Sequence, residues 1–111
     1  MEYRRFDIHG TDAATLYTEI LYALAVAKTE GNFLVRLVIF PEEGVSGEKL
    51  AIATERHIRR LKREKRIDVY VYVSALTSES TEAAYLLNKY PALEGEQGVT
   101  PSSAADIYVK L

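Results

Sequence analysis

The sequence predicts an α/β domain. Three observations carry this. Strand-type and helix-type stretches alternate from the amino terminus onward. Phe33 to Phe40 is nearly continuous apolar sequence, interrupted by Arg36, as in a strand buried on both faces. Two long stretches on either side of it place apolar residues at helical spacing. At 111 residues the chain is expected to be one domain, 1–111, able to bury a core of its own. There is no cysteine, so disulfides and thiolate zinc sites are excluded. No apolar run is long and uncharged enough to cross a bilayer, and the amino terminus has no signal-peptide shape. The expectation is a cytoplasmic protein without a membrane partner.

Residues 3–9 form the first expected strand, in which Phe6 and Ile8 alternate with Asp7 and His9. Gly10 breaks it, and Thr11-Asp12 offers side-chain oxygens to cap a helix over 12–29. That helix is apolar almost all round, which predicts either a second layer over it or contact with another copy of the chain. Gly31-Asn32 ends it. A second strand follows at 33–40, parallel to the first through a right-handed crossover. Pro41 to Gly47 is a loop. Glu48 to Lys65 is the second helix, with Leu50, Ala53 or Thr54, His57, Ile58 and Leu61 along its buried side. Residues 68–74 alternate as a third strand. Thr77 to Ser80 is placed to cap a short helix over about 81–90, which Pro91 stops. Residues 92–105 are expected to be a polar loop that packs poorly, and 106–111 a last strand.

Three groups of residues carry function at this level. Asp7 and His9 point to one side at the carboxyl end of a strand, beside a helix start. Such a corner suits anion binding or a general base, and is equally the wet side of an ordinary strand. If Ile8, Val71 and Val109 face the helices, the opposite face of the sheet collects Tyr3, Arg5, Asp7, His9, Tyr70, Tyr72, Tyr108 and Lys110, with Arg36 when its phase matches. Tyrosines among cations would stack bases and hold phosphates. The same tyrosines would also serve as cross-strand pairs, or be covered by the helix near 81–90. Finally, Arg56, Arg59, Arg60, Lys62, Arg63, Lys65 and Arg66 carry half of the 14 positive charges. Glu55–Arg59 is an ordinary helical pair, but a run this basic favours a nucleic-acid backbone, ahead of an anionic membrane or acidic protein.

The element order, with a first strand ending in Asp7-Ile8-His9-Gly10, resembles the Smr (small MutS-related) domain. Gly31 falls at the family's interval after Gly10. Ala105-Asp106-Ile107-Tyr108-Val109-Lys110-Leu111 resembles the family's closing strand. The resemblance implies an α+β sandwich like the C-terminal domain of translation initiation factor 3: a four-stranded mixed sheet with two main helices on one face. Here a short extra helix near 80–90 is added. It also implies nucleic-acid binding, RNA ahead of DNA, and endonuclease chemistry with His9 and Asp7 as the catalytic pair. Where the family has His-Gly-Lys-Gly, this chain has Phe40-Pro41-Glu42-Glu43-Gly44, so a divergent or non-catalytic member is expected. Glu42 and Glu43 would join Asp7 and His9 as ligands of a divalent metal, Mg²⁺ or Mn²⁺, unless they are simply exposed loop residues. A rival expectation is a homo-oligomeric module, a homodimer for instance, with the apolar first helix and the tyrosine face as its interfaces.

Overall fold

The computed structural model describes residues 3–76, 80–96 and 98–111. They form β1 (Arg4–Gly10), α1 (Ala13–Thr29), β2 (Leu34–Pro41), α2 (Gly47–Arg63), β3 (Val69–Tyr72), α3 (Thr81–Lys89) and β4 (Ala105–Lys110). Two 3₁₀ segments lie at Val73–Ala75 and Pro91–Glu96. The expected α/β class is therefore the observed one.

Local chemistry sets the helix ends. Asp12 caps α1 by accepting from the Thr15 N–H at 2.8 Å, and Ser46 and Ser80 cap α2 and α3 in the same way. Thr77, also expected in that last cap, lies outside the described residues. Gly31 closes α1 with φ of 80°, letting Asn32 N–H reach the Ala27 carbonyl at 2.9 Å. Gly10 meets a packing demand as well. A Cβ there would stand 3.1 Å from a methyl of Leu50, where β1 passes beneath α2.

The sheet order is β1-β2-β4-β3. β1 and β2 are parallel, while β4 runs antiparallel to both β2 and β3, so the sheet is mixed. β2 is internal, and every residue from Leu34 to Ile39 is buried. Residues opposite one another in register share a face. Phe6, Ile8, Leu37, Ile39, Ile107 and Val109 thus form one inner face, packed against Leu16, Ile20 and Leu24 of α1 and Leu50, Ile58 and Leu61 of α2.

The same register corrects the expected phase of β3. Tyr70 lies opposite Val109 and Tyr72 opposite Ile107, so both tyrosines lie on the α1–α2 side. Val71 lies opposite Tyr108 on the other side. In a Val-Tyr-Val-Tyr strand both residue types favour strands and both pack, so alternation cannot say which side is inward. The second layer decides it. Ala83 and Leu86 of α3, with Leu93, cover Leu34, Val69, Val71 and Tyr108. Hence the sheet is covered on both faces over β3 and β4. Within the stretch expected as a poorly packed loop, Leu93 is fully buried and Thr100 N–H donates to Asp106 at 2.9 Å, whereas Val99, Pro101 and Ser102 are exposed as expected.

Among the described residues, no second layer covers the outside of α1. Its buried residues, Leu16, Ile20, Ala23, Leu24 and Ala27, make one stripe, and Tyr22 stands 67% exposed. Among the described residues no helix is long and apolar enough to cross a membrane.

Candidate nucleic-acid interface

α2 buries Leu50, Thr54, Ile58 and Leu61, which are spaced three, four and seven residues apart. That phase turns Lys49, Ile52, Arg56, Arg59, Arg60 and Arg63 outward as one stripe, all of them exposed. Arg56, His57, Arg59, Arg60, Lys62, Arg63 and Tyr70 line an open groove of about 790 Å³ along this surface. A neighbouring groove takes in Lys65 and Arg66, just past the helix end, and Lys28 of α1.

Two of these cations are partly neutralised. Arg59 pairs with Glu55 at 3.0 Å and Arg60 with Glu64 at 3.1 Å. The Tyr70 hydroxyl first, then Glu55, raise the Arg59 pKa, so its charge is secure. Arg60 also lies over the Tyr17 ring at 5.4 Å and Lys62 over the Tyr70 ring at 5.8 Å. Among the described residues, no carboxylate pairs with Arg56, Lys62 or Arg63. Exposed pairs of the Arg59 type contribute little to stability. The stripe therefore keeps a net positive field.

The floor of the groove is held by packing. His57 is half-buried against the Tyr17 ring at 4.7 Å, and its Nε2–H donates to the Ala13 carbonyl at 2.8 Å. It is a packing histidine at the α1–α2 contact. Tyr70 and Tyr72 both donate their hydroxyls to the Glu55 carboxylate, Tyr70 at 3.0 Å. Burial and then the Glu55 bond push the Tyr72 phenol far above its ordinary value of 10.0. With their hydroxyls tied down and their rings against the core, these tyrosines are not free platforms for bases.

The sheet face assembled from the sequence is divided by the structure. Arg36 is buried, with Nε and Nη2 bonded to the two oxygens of Asp106 at 2.8 and 2.7 Å and Nη2 also donating to the Gly98 carbonyl. Tyr108 is fully buried, with Tyr3 edge-on to it at 5.5 Å. Lys110 bonds Asp68 at 3.0 Å and lies over Tyr85. Arg36, Tyr108, Tyr70 and Tyr72 are thus structural groups rather than an open binding face. Arg5, Asp7 and His9 remain exposed on β1, on the sheet side opposite α1 and α2.

At the expected strand–helix corner each group has its own partner. Asp7 accepts from Arg5 Nε at 2.8 Å, and His9 stacks on Phe40 at 5.2 Å. The α1 amino terminus is already served by Asp12, whose carboxyl is held below its ordinary value chiefly by the Thr15 N–H. Glu42 and Glu43 are exposed loop residues. Among the described residues no group of three or more His, Asp or Glu side chains is placed to hold a metal.

Lys49 belongs to the basic stripe but lies apart from the dense cluster of charge in the sequence. Its position seven residues before Arg56, two helical turns away, is the signal that would have found it. No family model, curated protein or solved structure matches this chain.

Proposed function

We propose that this domain binds nucleic acid, with RNA the expected polymer, through the outer stripe of α2. The observation that carries the proposal is the alignment of Arg56, Arg59, Arg60 and Arg63 on one exposed face, with Arg56 and Arg63 unpaired among the described residues. Arg56 and Arg63 are seven residues apart, roughly 10 Å along the helix. Over that length one strand of a duplex presents about three phosphates. Arginine suits this contact because its planar fork donates to two phosphate oxygens at once.

Contacts of this kind position a backbone without reading bases, so the binding is of low sequence specificity. The element order and the mixed four-stranded sheet under two helices support the likeness to Smr domains. The proposal is confined to binding: Asp7 and His9 have separate partners and lie on the far side of the sheet from α2.

A fluorescently labelled single-stranded RNA titrated with wild-type protein and with the Arg56→Gln/Arg63→Gln variant tests this by anisotropy. Weaker binding by the variant, to a similar extent for unrelated sequences, is the expected result. Equal affinity for wild type and variant contradicts it.

A further inference from the structure

We infer that β1 is the contact surface between two copies of this chain, which pair edge to edge as antiparallel strands. The sheet has two edges, β1 and β3. β3 is four residues long and gives way to a 3₁₀ turn at Val73, whereas β1 runs for seven. A long edge with free amides is a template for another strand. The register identifies those amides. Gly10 lies opposite Pro41, and its carbonyl accepts from Glu42 N–H. In a parallel ladder this turns the N–H and C=O of the even-numbered β1 residues toward β2. Arg5, Asp7 and His9 consequently direct theirs outward.

A two-fold axis perpendicular to the sheet keeps equivalent side chains on the same face, so odd residues meet odd residues. Centring the axis on Arg5 or on Asp7 sets like charges directly opposite, which is destabilising. Centring it on Phe6 sets Arg5 of each copy opposite Asp7 of the other. Each such pair exchanges two backbone hydrogen bonds. The side chains are already poised for it: Arg5 and Asp7 lie 2.8 Å apart on the same face, 41% and 49% exposed.

α1 supplies the second layer of the contact. Tyr22, Val26 and Glu30 follow one another at intervals of four residues on one side of the helix. Glu30 bonds Arg4 of β1 at 2.5 Å, so this side leans over the free edge. The axis that pairs β1 brings α1 alongside its equivalent and covers Tyr22, the most exposed large apolar side chain among the described residues. It also leaves both α2 stripes on the same side of an eight-stranded sheet.

Sedimentation equilibrium of the full chain, without nucleic acid, tests this separately from the binding proposal. Wild type is expected to dimerise. Arg5→Asp alone and Asp7→Arg alone each raise the dimer dissociation constant about tenfold or more, since both place like charges opposite one another. An equimolar mixture of the two variants, and the Arg5→Asp/Asp7→Arg double variant, recover the wild-type constant. Circular dichroism melts of the single variants, taken at concentrations low enough that wild type is also monomeric, should lie close to wild type, because both side chains are on the surface and only the dimer contact adds concentration-dependent stability. A wild type that stays monomeric at its highest soluble concentration overturns the inference. So does a dimer indifferent to both reversals, or a mixture no tighter than its components.

Discussion

The guanidinium of Arg36 and the carboxylate of Asp106 meet side-on between β2 and β4, with parallel bonds of 2.8 and 2.7 Å and side chains only 7% and 2% exposed. This pair reassigns a residue that the strand pattern offered as a phosphate contact. It joins the central strand to the loop before β4, because Arg36 also donates to the Gly98 carbonyl and Asp106 accepts from Thr100 N–H.

Removing one partner strands a buried charge. Arg36→Met or Asp106→Asn should each destabilise the fold by roughly 3–5 kcal/mol, while replacing both with apolar residues of similar volume should cost far less. Urea unfolding of the two single variants and the double variant measures this. Additive effects would show that the charges act independently.

The same pair gives an acid limb to stability. Burial raises the Asp106 pKa, but the Arg36 bonds and the Thr100 N–H outweigh it, and the net shift is downward from 3.8. A carboxylate whose folded pKa is depressed stabilises fully above its unfolded pKa and loses that contribution as pH falls through the folded value. Wild-type stability should therefore decline below about pH 4. Asp106→Asn should be less stable at neutral pH and show a flatter acid limb. Urea midpoints across the acid range check this.

Tyr72 shares Glu55 with Tyr70, and its ring packs against the main core. Tyr72→Phe should cost about 1 kcal/mol, one hydrogen bond with its ring retained. Tyr72→Ala should cost about 3 kcal/mol through poorer packing. RNA affinity should be the same for Tyr72→Phe as for wild type. Loss of RNA binding by the phenylalanine variant, at unchanged stability, would return this tyrosine to the interface.

His9 lies on β1, away from the α2 stripe, with its ring on Phe40. His9→Ala should bind RNA as wild type does in the same anisotropy titration. A marked loss would mean that nucleic acid touches the β1 face.

Much of the architecture was legible because strong local signals agreed. Asp12, Gly31 and Pro91 punctuate the chain, and the apolar run of β2 is broken only by Arg36. The basic stripe was legible too, since a helix phase fixed by Leu50, Ile58 and Leu61 determines where Arg56, Arg59 and Arg63 point. The sheet face was not. Which side Tyr70 and Tyr72 occupy depends on pairing with β4, far along the chain, and on α3 covering the valines. Arg36 does lie on the expected face, opposite Arg5 and Tyr108, but its burial was not legible, because its partner Asp106 is distant in sequence and a lone arginine in an apolar strand does not announce a buried ion pair.

The most direct test of the central claim is the salt dependence of RNA affinity. For wild type, the logarithm of the association constant should fall linearly with the logarithm of salt concentration. The Arg56→Gln/Arg59→Gln/Arg63→Gln variant should bind more weakly. Its slope should be shallower by about 0.7 for each phosphate of a single strand that is no longer neutralised, or about 2 in all. An identical slope for wild type and variant would contradict the assignment of α2 as the nucleic-acid interface.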